Sequence, residues 1–278
     1  MDAAIDLSDS SKALDLSNIR FQLIRLEDTI TFNLIERVQF PLNSTIYIPG
    51  GVPLPDPSLS LLDWILLETE RLHSLIRRYE SPDEVPFFPS ALHKPFLPSL
   101  SYPQGLLHPN TVDVNQQLKQ CYISTILPRA CARFDRPERR ADMQENYGSA
   151  AVCDVLTLQA LSRRVHFGKF VAEAKFRQHE AEYVAMIRAG DREGLARAIT
   201  DEKVEEKVLQ RLRLKARTYG TDPSMVETDG SGMGGDVEYG KINVEAVVAM
   251  YKDHVIPLTK VVEVEYLMQR LKGTQWEQ

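Results

Sequence analysis

Nowhere in the 278 residues does an alternation of apolar and polar side chains run between hairpin turns. The chain therefore has no pattern from which to build a sheet. What recurs is helical spacing. Ile19, Leu23, Leu26 and Ile30 form one apolar stripe, because residues three and four apart share a helix face. Amphipathic helices bury such stripes against one another. The expected fold is all-α: one domain spanning residues 1–278, a helical bundle of about ten to twelve helices.

Residues 1–14 are polar and read as a loose N-terminus. Asp15 or Ser17 can cap a helix running to Arg37. Five prolines and a Gly-Gly pair make 41–58 a loop. A second helix is expected over 59–79, with Arg77 and Arg78 in its last turn, where cations suit the dipole. Residues 82–109 carry seven prolines and several aromatics. That combination excludes regular helix and indicates an ordered loop packed on the helices. A helix over 112–133 follows, then a charged turn at 134–140. The turn Asn146-Tyr147-Gly148-Ser149 opens a long central helix reaching Arg188. A short helix over 191–199, a helix capped by Thr200 and ending near Tyr219, and a last helix over 243–271 complete the chain. Residues 221–240 are polar and Gly-rich and read as a flexible loop. Pro257 should kink the last helix and free the carbonyl of Asp253.

The most informative stretch is SRRVHFGKFVAEAKF at 162–176, which has no proline and good helix formers. Arg164 and Lys175 stand eleven residues apart, about three turns, so they point the same way. Leu161, Gly168 and Val171 lie along that line. Two cations on an apolar stripe are costly unless anions meet them. Either they make structural salt bridges or they line a pocket for a multiply charged anion, with Gly168 leaving room for it. Arg20, Asp201, Glu205, Thr259 and Glu263 could join them from three further helices, since bundle interiors are where facing helices assemble sites.

Other chemistries find little support. A net charge of −6 and a pI of about 5.6 argue against a general nucleic-acid binder. Cys121, Cys131 and Cys153 have neither disulfide-framework nor zinc spacing, and the six histidines contain no paired metal spacing. His166 reads as a packed imidazole rather than a base. GSGMGG at 230–235 satisfies a dinucleotide pattern, but no strand precedes it. The acidic N-terminus is no signal peptide, and no apolar run approaches the ~18 residues of a membrane span. A cytoplasmic protein with no metal, cofactor, nucleic-acid or membrane partner is expected.

NIRFQLIRLEDTITFNLIER, RRYESPDEVPFF, NYGS, LSRRVHFGKFVAEAKF, VEEKVLQRL and IPLTKVVEVEYL together resemble the regulated fungal, yeast-like chorismate mutases of the all-helical class, over about residues 15–271. The resemblance implies a cofactor-free isomerase that rearranges chorismate to prephenate on the way to phenylalanine and tyrosine. By carry-over, Arg20 and Arg164 bind the two substrate carboxylates. Lys175 and a protonated Glu263 donate to the ether oxygen, Glu205 accepts from the hydroxyl, and Asp201 and Thr259 line the pocket. The resemblance also implies a homodimer inhibited by tyrosine and activated by tryptophan, with effectors at Arg77, Arg78, Asn146, Gly148 and Ser149. That assigns the two arginines a role beyond completing a helix end.

The chain departs from the family pattern in three places. Val152 stands for a threonine that helps to bind effector, Asn243 aligns with a switch threonine, and Asp201 replaces an asparagine. The Gly-rich loop at 230–235 looks like a local insertion. The competing readings are a non-catalytic helical dimer that senses amino acids and another enzyme that binds a different dicarboxylate on the same bundle. Loss of a pocket cation would mark the sensor; Arg20, Arg164 and Lys175 are all present.

Overall fold

Asp15 starts the scaffold. Its carboxylate accepts hydrogen bonds from the backbone N–H groups of Ser17 and Asn18 at 2.9 and 3.0 Å, satisfying donors that the first turn leaves unpaired. From there α2 runs Leu16–Arg37, after a single helical turn α1, Ser10–Ala13. Ala13 is buried with Ile19 and Phe170, so residues 10–13 are not the loose tail that their polarity indicated. A computed structural model describes residues 9–100, 102, 105–132, 142–221 and 240–277. Among these every regular element is a helix and none is a strand. The charged turn at 134–140, the Gly-rich loop at 230–235 and residues 1–8 lie outside the described residues.

Helix α3, Leu61–Leu75, is capped by Ser60 and ends four residues before the expected Tyr79. Arg77 takes a left-handed conformation with φ of 71°, which turns the chain out of the helix into a 3₁₀ turn at Arg78–Glu80. Neither arginine completes a helix dipole. The proline-rich segment is pinned to α3: Glu70 accepts from the N–H groups of Phe87 and Phe88 at 2.8 Å each, and Ser74 accepts from that of His93. Phe87 is buried, as a packed loop requires, and so is Leu106, whereas Phe96 stands 80% exposed.

Two helices carry prolines and absorb them in the same way. Helix α4, Asn115–Cys121, passes through a π turn at Tyr122–Ile126 into α5, Leu127–Cys131. Near the C-terminus, the helix Val244–Met250 passes through a π turn at Tyr251–Val255 into Ile256–Gln269. In each case the proline is the second residue of the new segment. The N–H before it reaches back five residues, Leu127 to Tyr122 and Ile256 to Tyr251. The wider turn makes room for the ring and its missing donor. Pro257 thus produces a π turn where a kink was expected, and Tyr251 and Tyr122 are turned fully inward.

The expected long central helix is three: α6 Tyr147–His166, α7 Gly168–Gln178 and α8 Glu180–Arg188. His166 stabilises the first break. Its Nε2 accepts from the N–H of Val114 at 3.2 Å, and Nδ1 lies 2.9 Å from the Ser162 carbonyl. Burial pushes its pKa down to about 4, so it is a packed neutral imidazole. Helix α9, Arg192–Ile199, starts at Asp191 as expected. Helix α10, Glu202–Gly220, is capped by Asp201. Thr200, the expected cap, instead donates to the Ala196 carbonyl. The C-terminal pair are α11, Val244–Met250, and α12, Ile256–Gln269.

Helix α2 lies along α6, and α7 along α12. A buried ion pair joins the first two: Arg37 Nε donates to Asp154 at 2.7 Å. The rest of the guanidinium donates to the carbonyls of Pro41 and Leu42 and to the Tyr47 hydroxyl. Tyr47 and Tyr122 donate to Asp154. Such a pair is tolerable in the core because every polar atom is met. Among the described residues no helix is long and apolar enough to cross a membrane.

Candidate functional site

A cavity of about 500 Å³ opens between α2, α6, α7, α10 and α12, within the range of small-molecule sites. All seven residues singled out from the sequence line it: Arg20, Arg164, Lys175, Asp201, Glu205, Thr259 and Glu263. The break at Phe167 does not separate Arg164 from Lys175.

Gly168 explains how tightly the walls meet. A Cβ on it would sit 3.0 Å from Glu263 Cγ and 3.1 Å from Thr259 Cγ2. The space that glycine leaves is therefore occupied by α12 and not by an anion. Gly168→Ala should gain up to about 1 kcal/mol of helix propensity and lose about as much or more to overpacking. Because Thr259 and Glu263 must shift by tenths of an ångström, kcat/KM should fall about tenfold, while the melting temperature changes little. Steady-state kinetics beside a thermal melt would check both.

The cations in this cavity differ from Arg37. Arg164 is buried, yet its Nε has no hydrogen-bond partner among the described residues. Its guanidinium reaches Thr259 Oγ1 only at 3.5 Å and lies 5.9 Å from the Tyr251 ring. Arg20 is exposed at the mouth, with no ion pair among the described residues. Lys175 donates to the Ile199 carbonyl at 2.6 Å, a neutral partner. Three cations thus face the cavity with unspent donors, an arrangement that suits a ligand with more than one carboxylate.

The acids have distinct surroundings. Glu263 is buried, and among the described residues it makes no hydrogen bond or ion pair. Burial raises its pKa to about 8, with Glu205 adding to the rise and Lys175, Arg164 and Lys260 opposing it. At neutral pH it holds a proton that it can donate. Glu205 is ion-paired to Lys260 at 2.7 Å. Asp201 accepts from the Val204 N–H at 3.2 Å, so its negative charge rests on the N-terminus of α10.

Sequence reasoning missed Lys260, Glu27, Arg211 and Tyr251. Glu27 lies seven residues after Arg20 on the same face and is fully buried; Arg211 grips it bidentately at 2.6 and 2.7 Å. Lys260 follows Thr259 directly and precedes Glu263 by three, a spacing that signals a shared wall. Among the described residues no cluster of three or more His, Cys, Asp or Glu could hold a metal ion.

None of Arg77, Arg78, Asn146, Gly148 and Ser149 lines the cavity. Arg77 donates to the Pro98 carbonyl. Arg78 donates to Gln159 at 3.1 Å and pairs with Glu84 at 3.3 Å. Gly148 and Ser149 are exposed in the first turn of α6. Among the described residues no hydrogen bond or ion pair joins the side chains of the two arginines to the 146–149 turn. Around them Leu72, Ile76, Val152 and Leu156 are about half exposed or more.

Residues 146–229 match the family model Chorismate mutase type II. A chorismate mutase of Emericella nidulans is 66% identical over the whole of both chains. Among solved structures, Aro7p chorismate mutase from Candida albicans in complex with L-Trp is 41% identical, covers 98% of this chain and 97% of its own, and superposes with a TM-score of 0.88. AtCM1 with tyrosine bound in its allosteric site is 38% identical, covers 95% of this chain and 99% of its own, with a TM-score of 0.79.

Proposed function

The chain belongs to the chorismate mutase family, and from that premise we propose that its 500 Å³ cavity is where chorismate rearranges to prephenate. The observation that carries this is the unspent cation. Arg164 is buried without an ion pair among the described residues and faces a protonated Glu263 across the same space. In the reaction one ether C–O bond breaks as one C–C bond forms, within a single molecule. Arg164 and Arg20 hold the two carboxylates and fold the substrate into the reactive conformer. Lys175 and Glu263 donate to the ether oxygen as negative charge develops there, a stabilisation that needs no reorganisation because both groups are already placed. Glu205 accepts from the substrate hydroxyl, and Asp201 and Thr259 close the wall. No metal, cofactor or covalent intermediate is required by this chemistry.

The regulatory reading is that tryptophan activates and tyrosine inhibits, at a site built by Arg77, Arg78, Asn146, Gly148 and Ser149 in a homodimer. Two features support it: related structures hold tryptophan or tyrosine, and the half-exposed apolar residues beside these positions offer an interface. Val152 and Asn243 bear on the size and sign of the response. Asn243 caps α11 by accepting from the Ala246 N–H, a service that threonine performs less well. A cytosolic location suits cysteines that form no disulfide among the described residues.

The test is to mix purified protein with chorismate and follow its loss, alone and with each amino acid. Conversion slowed by tyrosine and raised by tryptophan supports both sites. Conversion without a response keeps the catalytic reading alone. A folded dimer that binds tyrosine but leaves chorismate intact would favour the amino-acid sensor.

A further inference from the structure

We propose that Lys260 is a positioning residue of the cavity, which locks Glu205 of α10 against α12 and so holds the acceptor carboxylate where the substrate hydroxyl meets it. This rests on the chorismate reading of the site.

The ammonium of Lys260 lies 2.7 Å from Glu205 Oε1, with side chains 33% and 28% exposed. An ion pair at such a half-wet mouth adds little to stability. Stability therefore does not account for placing it on a cavity wall. Position does. Glu205 sits in the first turn of α10, next to the Asp201 cap. Nothing else among the described residues hydrogen-bonds or pairs with its carboxylate. Without Lys260 the side chain is free to swing out to solvent, and the acceptor is lost from the cavity. Lys260 also follows Thr259 and stands one helical turn before Glu263. One residue of α12 thus touches one of the two acids and acts electrostatically on the other.

That second effect gives a distinctive readout. Glu263 faces Arg164 from α6, Lys175 from α7, Tyr183 from α8, Glu205 from α10 and Lys260 on its own helix. Lys260 is one of three cations opposing the rise of its pKa. Removing that cation lets Glu263 keep its proton to higher pH. Removing Glu205 does the reverse, since its charge is the one that adds to the rise.

The experiment compares kcat/KM for chorismate against pH in wild type, Lys260→Gln, Lys260→Arg, Glu205→Gln and the Lys260→Gln/Glu205→Gln pair, with a thermal melt on each. Lys260→Gln should lose about tenfold in kcat/KM at neutral pH, a typical cost for loosening a positioned group. Its alkaline limb should move up by about half a unit or more. Lys260→Arg should keep both properties. In the Glu205→Gln background the further loss from Lys260→Gln should shrink below about twofold, because the partner is already gone. Glu205→Gln alone should move the limb down. An unmoved limb in Lys260→Gln, or losses that multiply in the double variant, would overturn the role of Lys260 and leave the chorismate reading intact. A wild type that leaves chorismate unchanged would overturn both.

Discussion

Arg164→Ala should cost about 10³-fold in kcat/KM, ~4 kcal/mol in the barrier, while the melting temperature stays level or rises. The two halves of that expectation share one cause. Arg164 is a buried cation whose Nε has no partner among the described residues and whose guanidinium reaches the Thr259 hydroxyl only at 3.5 Å. In the free enzyme it costs desolvation and returns little. In the proposed reaction it becomes the fork that holds a carboxylate of the dianionic substrate through bond breaking. Sites kept ready in this way trade stability for function. Kinetics with chorismate and a thermal melt of the same sample check it. A variant that retains activity, or one that unfolds, would place Arg164 with Arg37 among the structural cations. Lys at the same position should recover only part of the loss, since a point charge cannot reproduce the bidentate geometry.

The second expectation concerns pH. With Glu263 lifted to about 8, kcat/KM should be level through neutral pH and fall above it, as the carboxyl loses the proton it donates. Glu263→Gln carries an amide donor at every pH, so it should retain part of the activity and lose the alkaline limb. If that variant declined along the wild-type profile, another group would own the limb. Stability should follow the same titration. An ordinary glutamate releases its proton near 4.5, whereas the folded chain holds this one to about 8. Between those values the unfolded state binds fewer protons, so the contribution of Glu263 to stability is present below the lower value and lost as pH rises to the upper. Glu263→Gln should therefore match wild type in melts near pH 4.5 and exceed it near pH 8.

The element pattern was legible along the chain because it depends on neighbours three or four residues away. The stripe from Ile19 to Ile30, the cap at Asp15 and the short helix that begins at Asp191 all appear where spacing put them. Where expectation failed, a contact distant in sequence had intervened. Arg77 leaves the helix by a left-handed turn beside the proline-rich segment that Glu70 anchors. His166 interrupts the central helix while bonding to Val114, 52 residues away. Pro257 was readable as a disturbance, but its resolution into a π turn was not, because the choice between kink and π turn is set by what packs around Tyr251.

The sequence by itself determined the all-helical class and nominated seven cavity residues, since charged side chains on apolar stripes betray themselves by their spacing. It could not distinguish Arg37 from Arg164, for each is an arginine at the inner face of a helix. Only the tertiary structure did. Arg37 finds Asp154 at 2.7 Å across 117 residues of chain, and the charge is neutralised. Arg164 meets a cavity and has no ion pair among the described residues. The raised pKa of Glu263, the close approach at Gly168 and the bridge from Lys260 to Glu205 have the same origin. Electrostatic energies depend on distance and burial in space, and the folded bundle alone sets both.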